Sequence, residues 1–291
     1  MSVVARAPAC GGSQPGLGSA AHKARLILDV RTGVAGLVGA IILGPRKSFK
    51  QGETPAHNVL LTFMGASLLW VGWFGFNAGS ALAANGSAAM AMLVTHIAAA
   101  TAGLSWMLTE WVHKGKPTVL GIVSGAISGL VVITPGAGYV DQTGAFVMGL
   151  LGGVACYFGI MLKNLLGFDD ALDAFGVHGV GGIVGGILTG LFAQEEVGGA
   201  DGAFYGNGVQ LGRQLAGIGM TSVYSAVGTA VIMLGLKVTI GIRVSEEDED
   251  MGLDVSEHGY GEGTNVKPSA GPEPSQQQML SVAAEGQMGV A

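Results

Sequence analysis

The stretch that decides the fold is FDDALDAFGVHGVGGIVGGILTGLFA, residues 168–193. It opens with an acidic cluster in which Asp169 and Asp170 are candidate helix caps and Asp173 falls in the first helical turn. From Ala174 to Ala193 the run then contains no Asp, Glu, Lys or Arg. About 20 apolar residues are enough to cross the hydrocarbon core of a bilayer. The stretch therefore predicts a membrane-spanning helix.

A histidine lies near the start of this run. Steps of four residues from His178 reach Gly182, Gly186 and Gly190, so the glycines share a helix face with the imidazole. Such a face lets a second helix approach the backbone closely. Because an ionisable side chain inside a membrane is costly, His178 is a functional candidate rather than a packing residue.

The composition is that of a membrane protein. Only 12% of the 291 residues are charged, about half the fraction in soluble domains, and 52 are glycine. The basic residues are scattered between apolar runs, which argues against a nucleic-acid surface. The two cysteines, Cys10 and Cys156, are too few for a disulfide framework or a metal cluster, so we expect no metal and no cofactor.

Seven apolar segments predict an all-α, polytopic membrane helix bundle. The first, Leu26–Leu43, is marginal because Asp29 and Arg31 interrupt it. The other six are stronger: Val59–Ala84, Ala88–Trp111, Val119–Pro135, Gly144–Leu162, Ala174–Ala193 and Gly208–Ile242.

Loop charges predict the orientation. Lysines and arginines concentrate in alternate loops, at residues 46–50, 114–116 and 163, and the chain after the last segment lies on that same side. The positive-inside rule therefore places the C-terminus in the cytoplasm. We divide the chain into an unassigned, disordered N-terminus (1–28), a transmembrane domain (29–243) and an acidic tail (244–291) that is disordered or docked on the bundle.

Several motifs together resemble the ammonium transporter (Amt/Mep/Rh) family. FGVHGVGGIVGGILTGLFA (175–193) is similar to the signature of its tenth helix, and WVGWFGFNAGSALAAN (70–85) to that of its sixth. GKPTVLGIVSGAISGLVVITPGAGYV (115–140) resembles helix eight and the following turn, and DVRTGVAGLVGAIILG (29–44) the inner part of helix five. The tail motif GIRVSEEDEDMGLDVSEHG (241–259) resembles the cytoplasmic C-terminus. The resemblance covers about residues 29–262.

The resemblance implies both a fold and a function. About seven transmembrane helices would correspond to helices 5–11 of the family's eleven-helix fold, with the first repeat of five helices almost wholly absent. The implied protein is not an enzyme: it would carry ammonium or methylammonium across the lipid bilayer, as a homotrimer in the plasma membrane. In bacterial and archaeal relatives a PII-type regulator binds the cytoplasmic face, and such a partner is possible here.

The same resemblance assigns roles to individual residues. His178 matches the second of two adjacent pore histidines, which would bind ammonia and handle a proton, since imidazole changes protonation near neutral pH. Phe76 matches a gating aromatic ring, and Ser80 the hydroxyl of the outer recruitment site. Trp73 is interpreted as pore-wall packing.

Three further residues match polar positions of the family. Asn77 and Thr134 correspond to polar groups near the pore, although each would by itself suggest a hydrogen bond between helices. Asp173 matches an acid near the cytoplasmic end of helix ten, and a simple first-turn helix acid is an equal alternative.

Asp29 stands where the family carries its first pore histidine. Some fungal members have an acidic residue there, so Asp29 could take part in the pore. Alternatively it is an accident at the edge of the absent region, which is the interpretation that the sequence slightly favours.

Two other classes remain open. A non-conducting family member, as a sensor, a regulatory subunit or an incomplete gene product, is favoured by the missing repeat, because a pore between two repeats needs both. A seven-helix retinal protein fits the helix count, but Lys237 lies at the end of its span, where snorkelling explains it better than a Schiff base.

Overall fold

The computed structural model describes residues 17–51 and 56–258, and every regular element in these ranges is helical. The α-helices are α1 (Leu17–Leu43), α2 (Val59–Ala78), α3 (Gly86–Lys114), α4 (Val119–Ile133), α5 (Gln142–Leu166), α6 (Val180–Phe192), α7 (Glu195–Gly198), α8 (Gly208–Thr239), α9 (Glu246–Met251) and α10 (Leu253–Ser256). A π-helix, Phe175–Gly179, leads directly into α6. Short 3₁₀ helices lie at Lys47–Gln51, Gly79–Ala81 and Ala203–Tyr205.

Five helical stretches of the described chain are long and apolar enough to span a membrane: Val59–Ala81, Gly86–Lys114, Gln142–Lys163, Phe175–Phe192 and Gly208–Thr239. The predicted all-α membrane bundle is therefore confirmed. Of the two remaining segments, α4 is a shorter apolar helix of 15 residues, and α1 has 27 residues.

Most of the predicted segment limits differ from the helix ends, and two of these differences stand out. The run predicted to reach Pro135 ends as a helix at Ile133, because Gly136 and Tyr139 donate backbone hydrogen bonds that turn the chain. At the start of the described chain, α1 begins at Leu17, well before the apolar run at Leu26. Residues 1–16, which belong to the expected disordered N-terminus, lie outside the described residues.

Side-chain caps explain where the spans begin. The side chains of Asn58, Asn85, Thr118 and Asp141 each accept a hydrogen bond from a backbone N–H in the first turn of α2, α3, α4 and α5, respectively. These bonds satisfy donors that a helix N-terminus leaves without intrahelical partners.

Helix α3 lies at the centre of the core, with α4 and α5 against it. The contact is close because glycines face it. A Cβ on Gly125 of α4 would lie 2.5 Å from the Trp106 Cβ, and one on Gly149 of α5 would lie 2.5 Å from the Ala98 carbonyl oxygen. Glycine at these positions allows two helix backbones to touch, which is how helices associate where burial from water supplies little driving force.

Other glycine stripes are open. In the described part of the chain, nothing lies within 4 Å of a Cβ built on Gly75 or Gly79 of α2, or on Gly208 or Gly212 of α8. The spacing of four residues is the same in both groups, so spacing alone does not tell a packed stripe from an open one.

The chain forms two compact units. The larger comprises Met1–Phe49 with Asn58–Ile242 and contains α1 to α8. The smaller comprises Lys50–His57 with Arg243–Ala291. Within it, the Ser245 hydroxyl accepts a hydrogen bond from the Asp248 backbone N–H at the start of α9, and residues 259–291 of the predicted tail lie outside the described residues.

We expect Gly125→Ala to destabilise the bundle by about 1–3 kcal/mol, because the new methyl group overlaps α3. The matched control is Gly75→Ala, whose methyl group meets open space in this chain and should be neutral or mildly stabilising. Thermal unfolding of both purified variants in the same detergent measures the difference. Equal midpoints for the two variants would contradict close α3–α4 packing.

Candidate functional site

The imidazole of His178 meets the carboxylate of Asp29. His178 Nδ1 lies 2.9 Å from Asp29 Oδ1, although the two residues are 149 positions apart in the sequence. Asp29 is 6% exposed, and its Oδ2 is buried without a hydrogen-bond partner among the described residues. The two positions that the family resemblance assigns to neighbouring pore groups are therefore in direct contact.

The contact determines how the imidazole is oriented. A carboxylate only accepts hydrogen bonds, so an ionised Asp29 requires Nδ1 to carry the proton. In a neutral ring the Nε2 lone pair is then free to accept a hydrogen bond or a proton. The His178 side chain remains 26% exposed, so part of the ring is accessible from outside the packed interior.

His178 lies in a π-helical turn. Residues Phe175–Gly179 form this turn, and the Val180 N–H donates to the Phe175 carbonyl five residues earlier. Its start is capped by Asp170, whose Oδ2 accepts a hydrogen bond of 2.7 Å from the Phe175 N–H. Single π-turns within α-helices are frequent at functional sites, where they redirect a side chain.

Glycines bring α1 against this turn. A Cβ on Gly33 would overlap the backbone N and Cα of Gly179, and one on Gly182 would lie 2.7 Å from the Val30 backbone N. The two backbones therefore approach too closely for any side chain between them. This approach carries Asp29 to within hydrogen-bond distance of His178.

A second group of predicted residues lies on α2 and α4. The Trp73 indole N–H donates a hydrogen bond of 2.8 Å to the Thr134 hydroxyl, and the rings of Trp73 and Phe76 lie 5.5 Å apart, edge to face. Phe76 is 41% exposed. Both rings line a groove of about 390 Å³ on α2.

Two predicted residues have partners of their own. The buried Asn77 donates through Nδ2 to the Thr95 hydroxyl of α3 at 2.9 Å. The Ser80 hydroxyl donates to the Phe76 carbonyl at 2.7 Å, within the same helical stretch. The 3₁₀ turn that contains Ser80 contacts α1, the helix that carries Asp29.

Asp173 is not a first-turn helix acid. It precedes the helix in a left-handed backbone conformation, with φ of 57°, and its carboxylate forms an ion pair with Lys163. The Lys163 ammonium also donates to the Asp170 carbonyl at 3.1 Å. The end of α5 is thus tied to the loop before the π-turn. The backbone strain at a non-glycine residue is offset by these contacts.

Sequence reasoning missed one ionic contact of this loop. Arg46, just after α1, donates to Asp169 from its backbone N, Nε and Nη2, each at 2.8 Å. Asp169 was a candidate cap, but its carboxylate binds Arg46 and only Asp170 acts as the cap. No sequence pattern links two positions 123 residues apart.

His96 is remote from this chemistry. Its ring lies 5.4 Å from the Trp70 ring and 6.1 Å from the Phe74 ring, on an exposed face of α3. Within the described ranges, no group of three or more His, Cys, Asp or Glu residues is placed to hold a metal ion.

Gly33→Ala should separate α1 from the π-turn and break the Asp29–His178 hydrogen bond, because the new methyl group overlaps the Gly179 backbone. Gly39→Ala, on the same helix with nothing within 4 Å, should leave the bond intact. The ¹⁵N shifts of the His178 ring report the bond directly. A His178 spectrum that is the same in both variants would contradict the glycine contact as its basis.

The Arg46–Asp169 contact should give a defined pH dependence of stability. Hydrogen bonds from the Arg46 side chain hold the pKa of Asp169 below its ordinary value of 3.8. The stabilisation is therefore complete above pH 3.8 and is lost as the pH falls through the lower, folded-state pKa. We expect the unfolding midpoint of the natural chain to exceed that of Asp169→Asn near neutral pH. This difference should shrink below pH 3.8, and a difference that instead grows on acidification would refute this assignment.

Comparisons with known proteins identify the family of the chain. Residues 26–262 match the family model described as Ammonium Transporter Family. The chain is 54% identical over 234 residues to an ammonium transporter of Aquifex aeolicus, covering 80% of this chain and 54% of that protein. It is 42% identical over 248 residues to the ammonium transporter Amt1 of Archaeoglobus fulgidus, covering 85% of this chain and 63% of that protein.

Solved structures are similar as well. The crystal structure of Saccharomyces cerevisiae Mep2 matches with a TM-score of 0.71 at 36% identity, over 76% of this chain and 52% of that one. A structure named Sensor Amt Protein matches with a TM-score of 0.74 at 30% identity, over 81% of this chain and 59% of that one. The chain thus spans about half the length of the relatives that it matches. The match over residues 26–262 establishes that the chain belongs to the Ammonium Transporter Family.

Proposed function

We propose that this chain takes part in the transport of ammonium or methylammonium across a lipid bilayer, with the proton handled by His178 and Asp29. The observation that carries the proposal is the 2.9 Å contact between His178 Nδ1 and Asp29 Oδ1 inside an apolar helix bundle. An ionisable pair is costly inside a membrane, so its presence there supports a functional role.

The physical problem is the charge of ammonium. A unit charge at the bilayer centre costs at least several kcal/mol, whereas neutral ammonia does not carry that penalty. Ammonium donates a hydrogen bond to Nε2 of His178, and its proton passes to that nitrogen. Ammonia then continues through the apolar passage while the imidazolium remains, with its Nδ1–H held by the Asp29 carboxylate.

Asp29 has two roles in this proposal. It orients the ring so that Nε2 is the base, and its negative charge stabilises the imidazolium. Its buried Oδ2, with no hydrogen-bond partner among the described residues, leaves one acceptor unused next to the His178 contact. Asp29 thus takes the place of the family's first pore histidine in this proposal, instead of being an accident of sequence.

The remaining predicted residues have supporting roles. Phe76 gates the passage, with Trp73 and Thr134 forming a hydrogen-bonded wall beside it. Asn77 fixes α2 against α3, and Ser80 belongs to the outer recruitment site. Asp173 lies at the cytoplasmic end, where its ion pair with Lys163 orders the loop before the π-turn.

The assembly follows the family. We propose a homotrimer in the plasma membrane, with the C-terminus in the cytoplasm because the basic loops lie on that side. A PII-type regulator is a candidate partner at the cytoplasmic face. The relatives carry transporter names rather than enzyme names, and a non-enzymatic role is part of the same proposal.

A second candidate function is that of a non-conducting family member, such as a sensor or a regulatory subunit. The observation in its favour is the open face of α2, where the groove beside Trp73 and Phe76 has walls only from α2 itself. A passage at this point needs a wall from another helix. Similarity to a sensor Amt protein is consistent with this alternative.

Uptake of labelled methylammonium by cells without ammonium transporters tests the proposal. Cells that express the chain should accumulate more label than cells with an empty vector. His178→Ala should remove this excess, and Asp29→Asn, which keeps the shape but not the charge, should lower it by roughly a hundredfold. His96→Ala, a histidine outside the site, should transport normally.

The outcomes separate the two functions. If the natural chain reaches the membrane but takes up no more than the empty-vector cells, the conducting function is wrong and the non-conducting one stands. If His178→Ala transports as well as the natural chain, the histidine mechanism is wrong, even though the chain conducts.

A further inference from the structure

We infer that Arg46 is a positioning residue: its contact with Asp169 sets the register of α1 against the π-turn, and so holds Asp29 at His178. The consequence for uptake depends on the proposed function, whereas the positioning itself does not. Two contacts join the same pair of chain segments: the Arg46–Asp169 ion pair and the Asp29–His178 hydrogen bond.

The Arg46–Asp169 contact is unusually well formed for an ion pair near a surface. Asp169 keeps only 3% of its side chain exposed and receives both side-chain and backbone donors of Arg46. Charge-assisted bonds from a guanidinium fork are short and directional. The backbone N–H of residue 46 takes part too, so the main chain that leaves α1 is fixed, and not only a flexible side chain.

Arg46 is close in sequence to the helix that carries Asp29, and Asp169 is close to the turn that carries His178. Arg46 follows α1 by three residues, after Gly44 turns the chain with φ of 84°. Asp169 precedes Asp170, which caps the π-turn that carries His178. The ion pair and the Asp29–His178 pair therefore join the same two segments at separate points.

Two contacts fix the register of α1 against the π-turn, whereas a single contact would allow α1 to slide or rotate. Asp29 lies about 21 Å along α1 from Leu43, at 1.5 Å per residue. A slip of α1 by one residue would move Asp29 by about 1.5 Å along the axis and turn it by about 100°, which breaks a hydrogen bond. The glycine contact at Gly33 limits the separation of the two backbones. The Arg46–Asp169 contact, at the end of α1, resists the slide.

A simpler interpretation is an ion pair that stabilises the loop and nothing else. Lys114 provides the control, because its ammonium lies 3.9 Å from Glu110 of the same helix, at the end of α3. The Lys114 pair lies within α3, whereas the Arg46 pair joins the two segments that meet at His178.

The test is ¹⁵N-histidine spectroscopy of the full-length chain in lipid nanodiscs, with the His178 signal among six histidines identified by its loss in His178→Ala. In the natural chain and in Lys114→Ala, the Nδ1 signal should report a protonated, hydrogen-bonded nitrogen. In Arg46→Ala we expect this state to be replaced by a mixture of tautomers. Arg46→Lys, which keeps the charge without the fork, should be intermediate. Arg46→Asp combined with Asp169→Arg should recover most of the natural signal.

An Arg46→Ala chain that melts earlier but keeps the natural His178 signal would overturn the inference and leave a structural ion pair. If Arg46→Ala does not fold, the comparison of Arg46→Lys with Lys114→Ala decides the same question. Methylammonium uptake adds a separate measurement: Arg46→Ala should lower the maximal rate roughly tenfold with little change in KM. If the natural chain shows no uptake, the proposed function fails while the spectroscopic result still decides the positioning.

Discussion

A single contact inside an apolar bundle places the strongest constraint on this structure: the carboxylate of Asp29 against the imidazole of His178 at 2.9 Å. Neither group is stable alone in such surroundings, because an unpaired buried charge or polar atom loses its hydration without compensation. When they are paired, each group supplies a hydrogen-bond partner that the other would lack. The helices that carry them must therefore stay in contact and in register.

The surrounding architecture meets this requirement with small residues and short polar contacts. Gly33 and Gly182 remove the side chains that would keep α1 away from the π-turn. Asp170 caps the turn and Asp169 holds the chain beyond α1, so the turn is fixed at its start and α1 at its end. In a membrane, where burial from water gives helices little reason to associate, close packing and hydrogen bonds of this kind supply the specificity.

The open surfaces are as informative as the packed ones. Helix α3 packs one face against α4 and α5, whereas α2 exposes Phe76 and a groove with walls only from α2 itself. A passage along that face needs a further wall, since a pore between repeats is lined by both of them. The match over residues 26–262 settles the family relationship. Conduction by this chain depends on whether another helix supplies the missing wall of the passage.

The sequence by itself determined the all-α membrane class and most of the span positions, because these depend on local hydropathy, and it singled out His178 as a candidate because one ionisable residue in an apolar run is costly. It identified Asp29 as the residue at the partner position but did not establish the contact. Only the tertiary structure decided that Asp29 meets His178, that Asp169 binds Arg46 instead of capping a helix, and which glycine stripes are packed. The two polar contacts join positions 149 and 123 residues apart, and the glycine contacts join different helices. Their existence depends on how helices pack, which local pattern does not encode.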